Sequence, residues 1–329
     1  MQPVSSVETI VVGECNNCGC REQVEVGGGI DFEYATCSNE FFFVRCPDCG
    51  LVYLRNRPAA AALSMIYPKE YIPHHFEEHL GGLISRLRRH VQRRKVRPFS
   101  SRLQEGATII DVGPGNGEFL DLLRRHGDAS WKLYGVDFAQ EAIDALRELK
   151  LNAVRSRFEE LQWEGPPPDA IVMNQVIEHL EDPARCVEHA FGLLSPGGYL
   201  VLETPSVDSW DYKLFHRRYW GGWHIPRHWV LYDPSTLSDL ARRSGFEVVE
   251  ITHLLSPNFW LQSIHHMLLE KPRAKQFARF FDVSFLPALA LASGLDVLQL
   301  AVRRKTSNFR LVARKPASVS RITRQAIPI

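Results

Sequence analysis

Six of the chain's seven cysteines fall within its first fifty residues. Two pairs share one pattern, Cys15-Asn16-Asn17-Cys18-Gly19 and Cys46-Pro47-Asp48-Cys49-Gly50. A C-x-x-C turn followed by glycine sets two thiolates on one side of a tight knuckle. Two knuckles supply the four ligands of tetrahedral Zn²⁺. The 27 residues between Cys18 and Cys46 exceed the shortest ribbon spacing but suit two hairpins joined by a strand, expected at 39–45. A four-thiolate site has no open position, so zinc held by Cys15, Cys18, Cys46 and Cys49 is structural rather than catalytic. The competing chemistry of such pairs is redox exchange, and the matched glycines point to metal instead. Cys20 and Cys37 read as spare thiols, and Cys186 as a packed residue in a helical pattern.

The second chemical signal is a glycine loop, Asp111-Val112-Gly113-Pro114-Gly115-Asn116-Gly117, which follows an apolar strand and opens into a helix. Its glycines remove Cβ atoms where a ligand must approach the backbone. A second acid, Asp137, ends the next strand 20 residues after Gly117, where a carboxylate accepts hydrogen bonds from ribose hydroxyls.

These residues need a frame. Strands are expected at 108–113, 132–137, 152–156, 169–174, 198–203, 245–251 and 308–314, with helices at 116–126, 139–150, 183–194 and 237–244. The last helix has Asp233 or Ser235 as its N-cap. This alternation predicts an α/β fold with a doubly wound, mostly parallel seven-stranded sheet, preceded by a small zinc-ribbon-like module. Ligands then sit beyond the carboxyl ends of the strands, at the switch point. The expected organisation is a zinc-binding module at 1–57, a helical connector at 58–103, an α/β domain at 104–316 and a flexible tail at 317–329. A basic helix is expected at 84–97, as a solvated face or a contact with phosphate groups or an anionic membrane.

At this point the chain resembles class I S-adenosylmethionine-dependent methyltransferases over 104–314. The resemblance rests on the glycine loop with its proline, on Gly135-Val136-Asp137, on 174–183 and on Leu194-Ser195-Pro196-Gly197-Gly198. It implies that the loop Gly113, Pro114, Gly115, Asn116 and Gly117 faces the methionine part, that Asp137 binds the ribose, and that Asp111 is a further cofactor-binding residue. It places Arg157 and Phe158 beside adenine and Asn174 and Gln175 along the methionine and methyl side, with Phe138 as a further cofactor-binding residue. The order of zinc module, Tyr67-Pro68 and methyltransferase is similar to enzymes of sugar, polysaccharide and secondary-metabolite pathways. Some ubiquinone-pathway O-methyltransferases have a similar Glu-x-x-Glu-His stretch that binds a divalent metal. This chain departs from it with Gln175 at the first position, before Glu178 and His179.

Four of the seven tryptophans, Trp210, Trp220, Trp223 and Trp229, fall in 205–233, with three histidines, His216, His224 and His228. Leaving the fifth sheet strand, this segment forms a ceiling over the cofactor, as an acceptor wall and partly as a second small core. His179, His228 and His224 are the candidate bases. An insertion at 252–307 contains thirteen residues without charge, 283–295, broken by Pro287 and Gly294. It reads as a buried helical pair, or as a membrane-surface contact through 280–305 beside Arg303-Arg304-Lys305.

Composition excludes some classes. Of 329 residues, 45% are hydrophobic and 23% charged, which excludes global disorder. A net charge of +1 gives no field that would steer polyanions, so nucleic acid is not expected as partner. The first twelve residues lack a basic n-region, so the expected location is cytoplasmic or peripheral at the inner face of a membrane. The leading expectation is methyl transfer from S-adenosylmethionine to a small-molecule or lipid-linked acceptor at oxygen. The alternatives are an RNA methyltransferase with a zinc recognition module and a non-enzymatic cofactor-binding module.

Overall fold

The computed structural model describes residues 5–67 and 95–317. The expected basic helix at 84–97 lies outside them except for 95–97, and so does all of the expected tail but residue 317. Thirteen strands are described, in three sheets. The central seven-stranded sheet has the order β12-β13-β10-β9-β6-β7-β8. Its strands are β6 (Thr108–Val112), β7 (Lys132–Asp137), β8 (Asn152–Arg155), β9 (Ala170–Asn174), β10 (Tyr199–Pro205), β12 (Glu247–Leu254) and β13 (Asn308–Arg314). All pairs are parallel except those of β13, which runs antiparallel to both neighbours. The chain winds from β6 outward to β8, then crosses to β9 on the other side of β6. The switch point therefore lies between β6 and β9, where a crevice opens at the strand ends.

Strand alternation builds a layer on each sheet face. Ile109, Val172, Val201 and Val312 pack with Leu120 and Leu123. Ile110, Ile171, Leu200, Leu202 and Leu311 face the other way, into a larger core. The flanking helices start where local chemistry favours it. Asp182 accepts the Arg185 N–H with Pro183 in the first turn, and Asp233 forms a capping box with Thr236.

The N-terminal module is continuous with this core. Its strands are β2 (Val24–Gly29), β3 (Phe41–Arg45) and β4 (Val52–Leu54). The fourth strand of this sheet, β11 (Val230–Leu231), is lent by the ceiling and pairs with β4, so the order is β11-β4-β3-β2. Phe41, Phe43 and Tyr53 share one buried cluster with Ile110 and Leu202. The glycines of β2 explain the fit. A Cβ on Gly27 would stand 2.0 Å from the His216 carbonyl oxygen, so only glycine lets this strand lie against the ceiling.

The insertion differs from its sequence reading. Leu286–Arg303 is one continuous helix; Pro287 sits in the first turn, where its missing N–H costs nothing, and Gly294 is tolerated within it. It packs beside the Asn258–Leu269 helix, but its outer face is exposed rather than buried.

Candidate active site

The glycine loop follows β6 and opens into the helix Glu118–His126. Gly113, Gly115 and Gly117 all take positive φ (64°, 56° and 77°). A Cβ on Gly113 would reach within 2.7 Å of Val176, so the loop after β6 and the turn after β9 touch across the switch point. Pro114 lies over Gly135, and Asn116 accepts the Glu118 N–H at the start of the following helix. Two carboxylates end the neighbouring strands. Burial, with the Asp137 charge adding to it, pushes the Asp111 carboxyl well above its ordinary value. Asp137 accepts the Ala139 N–H at 2.8 Å, and burial raises its carboxyl as well. The bare-backbone cradle beside Asp137 fits a nucleoside with an attached charged tail.

The adenine wall differs from its expected make-up. Phe158 is 4% exposed and packs edge-on against His189 in the core. Phe138 is 62% exposed, and the Arg157 guanidinium lies 5.5 Å from its ring centre. The short helical turn Phe158–Glu160 points Phe158 inward and leaves Arg157 and Phe138 outside. Asn174 is half-buried at the end of β9. Gln175 takes a positive φ of 55° and donates through Nε2 to Asn308 at 3.1 Å.

Three residues beyond Val176 stands His179, which meets two ceiling histidines. Ring centres are 4.8 Å apart for His179 and His228, 4.8 Å for His224 and His228, and 6.2 Å for His179 and His224. Each holds its Nδ1 against an acceptor: the Arg227 carbonyl at 3.0 Å for His179, the Gly222 carbonyl at 2.9 Å for His228, and the Glu33 carboxylate at 2.8 Å for His224. A carbonyl or carboxylate only accepts, so all three rings donate from Nδ1, and the neutral His179 and His228 keep the lone pair on Nε2. Burial, then the His224 charge, draws His179 down to about 3. Burial, then His179 and His224, holds His228 well below the ordinary range. Burial alone would raise Glu33, but His224 overrides it and keeps the carboxyl below its usual value. His216 does not join the group and turns Nδ1 to the Lys213 carbonyl.

Beside the rings lies the buried Glu178. Oε2 accepts from Thr204 at 3.0 Å, while Oε1 has no hydrogen-bond partner among the described residues and stands 3.9 Å from His228 Nε2. Burial pushes this carboxyl up to about 8. Glu178, His179 and His228 bring one donor atom each to within 4.8 Å of one another. Two imidazoles and one carboxylate are a donor set that suits a divalent cation, and the orphaned oxygen fits that role. Gln175 takes no part; the third donor comes instead from the ceiling.

The four cysteines converge as their spacing implies. Cys15, Cys18, Cys46 and Cys49 hold their sulfur atoms within 4.8 Å of one another. The two knuckles fold alike: Gly19 N–H donates to the Cys15 carbonyl and Gly50 N–H to the Cys46 carbonyl, with both glycines at φ 76°. Burial opposes it, but the Cys49 backbone N–H and the Cys18 thiol draw Cys46 down to about 7, toward a thiolate ready to bind metal. Cys20 and Cys37 stay outside the group, and Cys186 is buried in its helix.

Sequence reasoning missed the module's contribution to the histidine group. Glu33 lies 191 residues from His224. Asp31 forms a fully buried pair with Arg227 at 3.1 Å, and the Arg227 guanidinium covers the Tyr34 ring at 4.3 Å. The aromatic ceiling also turns inward more than expected. Trp220 and Trp223 are 1% and 2% exposed, and Trp223 stacks on Phe43 at 4.1 Å. The Trp223 ring thereby joins the module to the ceiling.

Comparison with known proteins places this geometry. Residues 84–251, just over half of the chain, match the family model described as a methyltransferase domain. A ubiquinone biosynthesis O-methyltransferase of Coxiella burnetii is 26% identical over 161 residues, covering 45% of this chain and 67% of that protein. An uncharacterised 37.1 kDa protein from a Streptomyces fradiae transposon is 30% identical over 206 residues, covering 59% and 58%. Among solved structures, a SAM-dependent methyltransferase from Archaeoglobus fulgidus matches with a TM-score of 0.45 at 19% identity, covering 69% of this chain and 94% of that one. The chain belongs to the methyltransferase-domain family.

Proposed function

We propose that the enzyme methylates an oxygen of a small-molecule acceptor held between the 221–229 ceiling and the strand ends, with His224 taking the acceptor's proton. The observation that carries this reading is the Glu33–His224 contact at 2.8 Å beside His179 and His228. A carboxylate on Nδ1 fixes the tautomer and stabilises the imidazolium formed when Nε2 accepts a proton. His179, drawn down to about 3, is too weak a base for that role at neutral pH. The name of the Coxiella relative, an O-methyltransferase, supports oxygen as the acceptor atom.

When bound, S-adenosylmethionine supplies a methyl group already activated on a sulfonium. The chain's own part is to bind, align and exclude water. Gly113, Gly115 and Gly117 would admit the methionine part against bare backbone. Asp137 would accept the ribose hydroxyls, and Phe138 with Arg157 would cover adenine. Asn174 would border the methyl side. Glu178, His179 and His228 would hold a divalent cation, which would supply a positive charge near the acceptor oxygen. The four cysteines would hold zinc that braces the module carrying Glu33.

The test is label transfer. Purified protein, methyl-labelled S-adenosylmethionine and a cell extract are incubated, and label is counted in lipid, small-soluble, nucleic-acid and protein fractions. Alkali-stable, ether-type label in the lipid or small-soluble fraction is the expected result. Label in RNA would replace this reading with RNA methylation.

A further inference from the structure

The Leu286–Arg303 helix carries its polarity the wrong way round for a helix facing water. Its inward residues include Asp296 and Gln299, both fully buried. Asp296 accepts from Trp260 Nε1 at 3.1 Å and from the Ser256 N–H, and Gln299 accepts from the Trp210 N–H. Its outward residues are Leu286, Leu291, Val297, Leu298 and Val302, each 51–66% exposed. The remaining exposed positions between 286 and 302 are proline, alanine and glycine, so no charge interrupts the face. Eighteen residues make a strip about 27 Å long. A contiguous apolar strip of that length on a soluble surface marks a contact site.

The charges around it name the partner. Exposed Lys271, Arg273, Lys275 and Arg279 precede the helix, and exposed Arg303 and Arg304 end it, followed by Lys305. The acids in the same stretch are Asp282 and the buried Asp296. Exposed Phe277 and Phe285 stand beside the basic residues. An apolar face rimmed by cations repels a second copy of itself and attracts anionic headgroups. By length and composition alone the helix could cross a bilayer. Its inward bonds to Trp260, Ser256 and Trp210 tie it along the α/β body, which a crossing helix would have to abandon.

We infer that this face docks on an anionic lipid surface, with the helix lying in the interface plane and the basic residues at the headgroups. The inference is independent of which acceptor the enzyme methylates. The test is co-sedimentation of the full chain with phosphatidylcholine vesicles, with and without phosphatidylglycerol. Binding to the anionic vesicles alone is expected. The pair Leu291→Gln/Leu298→Gln and the pair Arg303→Glu/Arg304→Glu should each weaken it about ten-fold or more. S-adenosylmethionine affinity and melting temperature should be unchanged in both, since the four side chains are exposed. Three results would overturn the inference: no binding to anionic vesicles, equal binding to neutral ones, or binding indifferent to the leucine pair. Light scattering that shows a dimer broken by the leucine pair would assign the face to a second copy instead.

Discussion

At the scale of single residues, the proposed site divides into groups that would bind and groups that would move a proton. Asp137→Ala should weaken S-adenosylmethionine binding about 10- to 100-fold, the value of charged hydrogen bonds left unmade. Calorimetric titration would show it, with the melting curve unchanged. Proton transfer is separable from this. His224→Ala should lower kcat about 10²- to 10⁴-fold while cofactor affinity stays as it is. Glu33→Gln keeps a hydrogen-bonding side chain on Nδ1 but removes the charge, so it should cut kcat by roughly ten-fold and shift the pH profile rather than KM. An unchanged profile in Glu33→Gln would reduce Glu33 to a structural tether. The sequence singled out Asp137 and the glycine loop from local spacing alone. It could not disclose Glu33, whose partner arrives 191 residues later.

At the scale of elements, legibility followed local periodicity. The seven sheet strands and their helices were readable because alternating and helical apolar patterns fix them within a few residues. The glycine run of β2 carried no such signal, since its cause is the 2.0 Å approach of the His216 carbonyl to where a Cβ at Gly27 would be. Gly27→Ala must displace backbone and should cost about 1–3 kcal/mol, measured by urea unfolding. The ceiling's aromatic density was read as an acceptor wall and partly as a second small core, and Trp220 and Trp223 serve the core, because a β-sheet is laid against them. Phe158 was misplaced for a similar reason, as a single turn of helix decides which of two neighbours faces the crevice. The outer helix offers a pH experiment. Burial raises Asp296 to about 6, above its ordinary carboxylate value near 4. Between those values the folded state holds a proton that the unfolded state has lost, so stability falls as pH rises from 4 to 6 and then levels. The fall should amount to about 3 kcal/mol and vanish in Asp296→Asn, whose curve over that range is flat apart from other groups.

At the scale of the whole molecule, module and catalytic body form one structure. The β4–β11 ladder, the buried Asp31–Arg227 pair and the Phe43–Trp223 stack all cross between them. Arg227→Met leaves a buried carboxylate without its cation and should cost about 3–5 kcal/mol. Withdrawing metal from the cysteines should reach the same joints. Cys46→Ser, or a strong chelator, is expected to lower the single melting transition of the full chain and to abolish methyl transfer. A chain that melts in two separate steps, with turnover retained, would show the module to be a mere appendage. The shared ladder also orders events in time. At about 5–20 residues per second, β11 emerges from the ribosome roughly 10–35 s after β4. For that interval β4 presents a bare strand edge, the kind of surface on which nascent chains aggregate. Slower synthesis lengthens this wait, so stalling between 54 and 230 should send the product into inclusion bodies, and any chain ending before 230 should be insoluble however well its cysteines are supplied with metal.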